Sequence, residues 1–339
     1  VPYEEIAIIF RNNSSADGIE ASLRELGIGC KRRGSISFFD TKEVKAILDI
    51  VSLLINPKDI MSFIHILEYA KGIGPSIAKE IYDGIVRLGD GDFLKGILDP
   101  KDIDNPFEKK IKNFQLALFD DLSYIGSKSR FKELGFEENF KKSAILKHPK
   151  LSKDGAIFLH NFYKLFKELK GFFRPASVVS KIVESKLFSD ISKNLVTKRA
   201  ILKDGSLDRN LKDEALLKIF RKTIILKELA KQYKDLERFY NALVLGGSEI
   251  SEGKGVNLLT VHASKGLEFE DVYIIDLADG RFPNRKLIAK GGNLEEERRL
   301  FYVATTRAKN RLYLSYAKYD RVKKIEFKPS PFLFEAGLL

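Results

Sequence analysis

The chain has 339 residues, 44% of them hydrophobic, with 59 Lys and Arg against 47 Asp and Glu for a net charge of +12. About two or three domains are expected at this length, and the composition excludes a disordered, collagen-like or low-complexity protein. No apolar run approaches the roughly 18 residues of a membrane span, and Val1-Pro2-Tyr3-Glu4-Glu5 is no secretory leader, so neither membrane insertion nor secretion is expected. Cys30 is the single cysteine, and His65, His148, His160 and His262 show no ligand spacing. A reducing cytoplasm and no structural metal follow as expectations. The start at Val1, with Met61 as the single methionine, reads as a piece excised from a longer protein.

In chain order, Ile6-Ala7-Ile8-Ile9-Phe10 suits a buried strand, and Val44, Ile47, Leu48, Val51, Leu54 and Ile55 recur at helical spacing. Two prolines and three aspartates then break the pattern over Leu98–Pro106. Residues 107–245 read as helices throughout. Apolar residues step by three and four along Ile111, Phe114, Leu118, Leu122 and Ile125, then Phe158, Phe162, Leu165 and Leu169, then Ile225, Leu229, Tyr233, Leu236, Tyr240 and Leu243. A Gly-rich polar stretch, Gly246–Gly255, precedes three more strand-like runs at 256–261, 272–277 and 312–316. The expected architecture is an α/β domain with a parallel sheet, built from 1–106 and 246–339 and interrupted by an all-helical insertion, 107–245. That insertion carries 30 basic and 17 acidic residues (+13), leaving 29 and 30 (−1) for the flanks. A solvated lysine-rich surface would explain the excess; its confinement to one segment points to a nucleic-acid-facing module.

Two segments carry candidate chemistry. Thr260-Val261-His262-Ala263-Ser264-Lys265-Gly266-Leu267-Glu268-Phe269 follows a strand; its Ser-Lys-Gly core could bring amides and a lysine to a phosphate while Glu268 accepts from a sugar hydroxyl. The plainer reading is a strand-to-helix connection with a surface lysine. In Leu294–Lys309 three acids open a helix, and Leu300, Val303, Ala304, Arg307 and Ala308 share a stripe. A guanidinium on an apolar face needs an anion, either a protein carboxylate or a phosphoryl group.

Together these segments resemble the C-terminal half of the UvrD/Rep/PcrA family of superfamily 1 DNA helicases. Residues 260–269 are similar to the family's motif V, Glu296–Ala308 to motif VI, Ile8-Ile9-Phe10-Arg11-Asn12-Asn13 to motif IV, and Ser37–Lys45 to the stretch after it. The resemblance implies a RecA-like three-layer second motor domain (2A) of the P-loop NTPase class, in 1–106 and 246–339, with the insertion as domain 2B. It implies an ATP-dependent helicase moving 3′ to 5′ along single-stranded DNA and opening duplex junctions. Arg11 and Arg307 would be arginine fingers on the γ-phosphate, Gly266 and Glu268 would border the nucleotide with Glu268 on its ribose, and Phe10 would offer an aromatic plane to the adenine. His262, Ser264 and Lys265 would lie near single-stranded DNA or help relay the nucleotide state to it. Lys71, Gly72, Ile73 and Gly74 resemble the family's Gly-Ile-Gly hairpin, which grips a phosphate through amides; an ordinary helical turn is the alternative. Phe38, beside Phe39, is either core or a stacking platform.

A phosphate-cradling loop and an acidic pair for Mg²⁺ are not legible: Gly253-Lys254 is followed by Gly255, and Asp213-Glu214 sits in a lysine-rich helix. The resemblance places both, and hence the Mg²⁺ ligands, on an N-terminal motor half that would be a partner in the same protein. This chain alone is then expected to be inactive. A helicase of the AddA/RecB helicase-nuclease type and a non-catalytic DNA-binding module are the alternatives.

Overall fold

The computed structural model describes residues 1–107, 131–244, 255–289, 291–322 and 324–339. The expected helical positions Ile111 to Ile125 and loop residues 246–254 lie outside the described residues.

In chain order the elements begin with β1 (Ile6–Phe10), α1 (Asn13–Glu25) and β2 (Cys30–Arg33). Helices α2 (Lys42–Ile55), α3 (Ile60–Leu67), α4 (Pro75–Leu88) and α5 (Phe93–Leu98) follow. Then come α6 (Glu138–Lys141), α7 (Lys153–Leu169), α8 (Pro175–Glu184), α9 (Lys186–Ala200), α10 (Arg209–Lys231) and α11 (Leu236–Val244). The chain continues through β3 (Val256–Thr260), β4 (Phe269–Ile274), α12 (Arg285–Ile288), α13 (Leu294–Thr305) and β5 (Ala308–Leu314). A two-stranded pair, β6 (Tyr319–Asp320) and β7 (Ile325–Glu326), precedes α14 (Pro331–Glu335).

The contacts divide into two compact units: Val1–Thr41, Phe220–Gln232 and Asn241–Leu339 in the first, Lys42–Ile219 and Tyr233–Tyr240 in the second. In the first, β2, β3, β1, β4 and β5 lie in that order in one sheet, every pairing parallel, as the α/β expectation requires. Strand alternation sends Ala7 and Ile9 to one face, where Val272, Ile274, Phe282, Phe301, Ala304 and Phe332 complete a core. Phe10 goes to the other face with Ala16, Val256 and Leu258. Burial on both faces is why β1 reads as an unbroken apolar run.

The second unit takes in residues 42–106, so the structure divides the chain at 41/42 and not at 106/107. The reason is packing. Phe63 of α3 and Phe93 of α5 meet Phe162 of α7 with ring centroids 5.5 and 6.5 Å apart, which fuses the early helices to the later ones. The Pro- and Asp-rich stretch is a loop inside this unit, tied back by Lys101 N to the Leu88 carbonyl at 2.8 Å. The expected periodic run 225–243 is also interrupted between Lys231 and Leu236. There Asp235 caps α11, its carboxylate accepting from Arg238 N at 2.8 Å.

Candidate functional site

Arg11 directly follows β1, and Glu297 lies in the first turn of α13, on the buried stripe that continues to Phe301 and Ala304. The Glu297 carboxylate accepts from Arg11 Nε at 3.0 and 3.1 Å and from Nη2 at 2.7 Å. It accepts further from the Asn284 backbone at 2.9 Å. Asn284 Nδ2 donates to Asn12 Oδ1, and Asn12 Nδ2 to the Arg281 carbonyl, each at 2.9 Å. Side-chain exposures of 13% for Arg11 and 6% for Glu297 make this a largely desolvated ion pair with its hydrogen-bonding capacity well used.

Arg307 does not sit on the helix stripe that the sequence suggested. The helix α13 ends at Thr305, and Arg307 occupies the turn before β5, its carbonyl accepting from Phe269 N at 2.9 Å. Its guanidinium folds back onto neutral acceptors: the Val303 carbonyl at 2.9 Å, the Leu267 carbonyl at 3.0 Å and Thr306 Oγ1 at 3.0 Å. Among the described residues no carboxylate lies within ion-pair distance of it. Among the described residues, therefore, no buried salt bridge makes Arg307 purely structural.

The bond to Leu267 brings Arg307 beside Gly266, which holds a φ of +82°, and beside the exposed Glu268. Arg11 is anchored on α13 at Glu297, and Arg307 Nε bonds the Val303 carbonyl six residues further along the same helix, a rise of about 9 Å at 1.5 Å per residue.

Three expected contacts are corrected by burial. Phe10 is 0% exposed, packed in the core with the Arg32 guanidinium 5.7 Å from its ring, so no face is open to an adenine. Phe38 is likewise 0% exposed and meets Phe39 edge to face at 4.9 Å, which makes it core and not a base platform. Ser264 is buried, and its hydroxyl donates to the Val261 carbonyl at 2.8 Å, leaving it no reach toward DNA. His262 and Lys265 are exposed.

In the helical unit, Lys71 and Gly72 are exposed, Gly74 is half-buried, and Ile73 is buried against Gly155. Gly72 has a φ of +83°, and Gly74 is the N-cap of α4, with Pro75 opening the helix. Ser152, the N-cap of α7, clamps the turn by donating to the Lys71 carbonyl at 2.9 Å while accepting from Gly155 N at 3.0 Å. Two histidines serve structure: His148 contacts Glu80 at 3.1 Å, and His160 accepts from Glu137 N at 3.2 Å. Among the described residues no cluster of His, Cys, Asp or Glu is arranged to hold a metal, and no helix is long and apolar enough to cross a membrane.

Glu297 and Asn284 are the residues that sequence reasoning missed. The signal for Glu297 was present: an acid four positions before Phe301 falls on the buried face of an amphipathic helix, where a carboxylate requires a cation. Asn284 acts here mainly through its backbone amide, which has no sequence signature.

Residues 1–319 match the family of UvrD-like helicase C-terminal domains. The ATP-dependent DNA helicase Rep of Buchnera aphidicola subsp. Acyrthosiphon pisum is 28% identical over 353 residues, covering 99% of this chain and 45% of the relative. PcrA of Bacillus subtilis is 26% identical, with 93% of this chain and 36% of the relative covered. DNA helicase II of Escherichia coli K12 is 25% identical, with 98% and 40% covered. The chain thus spans less than half the length of these relatives.

Proposed function

The chain belongs to the family of UvrD-like helicase C-terminal domains, and on that premise we propose that it supplies the second motor domain and helical insertion of an ATP-dependent 3′-to-5′ DNA helicase. The observation that carries the reading is the Arg307 guanidinium, held in place by neutral acceptors beside exposed Glu268, with its charge left for an anion. A cation fixed in this way stabilises charge developing on a transferred phosphoryl group without reorganising first. Glu268, whose carboxylate makes no hydrogen bond among the described residues, suits a ribose hydroxyl. Arg11 is a second cation for the phosphates.

ATP fits these donors and acceptors. Its Mg²⁺ would be held by residues in the part of the relatives that this chain does not span. Single-stranded DNA would run past His262 and Lys265, and duplex DNA would meet the Gly72 to Gly74 turn, as the exposed Lys71 and Gly72 favour. A cytoplasmic location accords with such work. In this reading nucleotide closure and release drive stepping, and 2A and 2B retain their family roles with the boundary moved toward Lys42.

DNA-stimulated ATP hydrolysis, measured on this chain alone and on the product of its complete reading frame, tests the proposal. Strong turnover confined to the longer product is expected. Silence of both would replace the motor with a non-catalytic DNA binder.

A further inference from the structure

We propose that Glu297 is the positioning residue for Arg11, fixing which edge of the guanidinium faces inward and leaving Nη1 as the donor presented to a phosphoryl oxygen. The inference rests on the nucleotide reading above. A guanidinium carries five N–H groups in a rigid plane, and a carboxylate that takes Nε and Nη2 together sets the orientation of that whole plane. Here both are taken, at 3.0 and 2.7 Å, while Nη1 makes no hydrogen bond among the described residues.

The orientation is over-determined because the contacts close a ring. Arg11 is covalently joined to Asn12; Asn12 Oδ1 accepts from Asn284 Nδ2 at 2.9 Å; the Asn284 backbone donates to Glu297 at 2.9 Å; and Glu297 returns to Arg11. Arg281 extends the ring, bound to Asn12 through its carbonyl and to Asp276 through Nη1 at 2.9 and 2.8 Å. The side chain that would touch phosphate is therefore held by groups that themselves have few alternative positions.

Stability alone accounts poorly for this arrangement, since a buried ion pair commonly contributes no more than an apolar pair of the same volume. The fork has a second effect. By pairing with a full negative charge, Arg11 acts on phosphate through direction more than through net charge, whereas Arg307 retains its charge. The two cations then divide the work: Arg307 stabilises charge, and Arg11 aligns the phosphoryl group.

The test is a double-mutant cycle on DNA-stimulated ATP turnover by the complete reading-frame product, with Glu297→Gln, Arg11→Ala and the double variant. Glu297→Gln should lower kcat about 100-fold, as misplacement of a reacting contact does, and change KM for ATP less than about threefold. The double variant should turn over no more slowly than Arg11→Ala, because Glu297 acts only through Arg11. If Glu297→Gln melts below the assay temperature, Arg11→Lys, which keeps the charge and loses the fork, takes its place and should lose about as much as Arg11→Ala. Wild-type turnover by Glu297→Gln, losses that multiply in the double variant, or rescue by Lys would overturn the inference while leaving the nucleotide site intact. Wild-type turnover by Arg11→Ala would instead remove Arg11 from the nucleotide site, and this inference with it.

Discussion

Arg307 donates through Nη1 to the carbonyl of Leu267 at 3.0 Å, which sets a guanidinium with no carboxylate partner among the described residues one residue away from the exposed Glu268. A surface arginine in an ordinary ion pair offers a useful contrast. Arg298, on α13, is already bound to Glu335 at 2.7 Å and to Glu295, both exposed. Arg307→Ala in the complete product should cut kcat by about 10³ or more with KM for ATP nearly unchanged, and Arg298→Ala should change neither by more than about twofold. Steady-state kinetics at saturating DNA would check this. Equal losses for the two variants would make Arg307 a structural residue.

Arg32 tests the other side of the sheet. Its guanidinium, 5% exposed, bonds Asp17 at 2.9 Å, Glu20 at 2.6 Å and the Asn13 carbonyl at 2.7 Å, while Nε donates to Ser35 at 2.7 Å. Glu20 in turn accepts from Phe38 N at 2.9 Å, so one arginine ties α1, β2 and the loop beyond it together. Arg32→Ala would strand two buried carboxylates. A loss of about 3 to 5 kcal/mol is expected from breaking such a cluster from one side, read as a lower denaturant midpoint. A loss below about 1 kcal/mol would show that solvent already screens the cluster.

What could be read from residues alone follows from how each element is buried. The strands β1 and β3 announce themselves because cover on both faces leaves them largely without polar alternation. The edge strand β2 does not, since Cys30-Lys31-Arg32-Arg33 carries three cations, and Arg32 is acceptable there only because α1 supplies Asp17 and Glu20. The compact units differ from the expected boundary for a related reason. Pro- and Asp-rich composition marks a loop, but whether the chain changes partners there depends on distant packing, and the aromatic contacts of Phe63 and Phe93 keep residues 42–106 with the later helices. Within the proposed site, the arginines and Glu268 were singled out by motif resemblance. Motif could not tell a core aromatic from a binding one, and burial reassigned Phe10 and Phe38.

Burial also makes stability depend on pH through Asp49. Its carboxyl sits between α2 and α3, accepting from Ser62 Oγ at 3.3 Å, and burial pushes it up to about 7 despite the neighbouring Lys45. The folded pKa is raised above the ordinary value, so the unfolded chain ionises first as pH rises. The stabilising contribution of the neutral group is full below about pH 4 and is lost progressively up to about pH 7. Asp49→Asn should therefore match the wild type at pH 4 and exceed it at pH 8, by at most about 4 kcal/mol from three pH units at 1.36 each. Chemical denaturation of the chain at the two pH values measures the difference. A variant less stable at pH 8 would mean that the ionised Asp49 is stabilised by its neighbours.

The Gly72 to Gly74 turn allows a cleaner separation of fold from DNA contact, because its two glycines differ in what they require. Gly72 has a φ of +83°, and a Cβ there would also press on Ser152 Oγ at 3.3 Å. Gly72→Ala should cost about 1 to 2 kcal/mol of stability from the left-handed backbone alone. Gly74 carries no such constraint: its φ is −98°, and a Cβ would meet nothing within 4 Å. Gly74→Ala should melt within a degree or two of the wild type. If backbone amides at this turn approach a phosphate closely, that added methyl should nonetheless weaken binding of a tailed duplex several-fold, while the slope of log affinity against log salt stays near the wild-type value, because an uncharged amide releases no counterion. Fluorescence anisotropy across a salt series reads both quantities. Wild-type affinity in Gly74→Ala would reduce the Gly-Ile-Gly segment to an ordinary helical turn, held to α7 by Ser152.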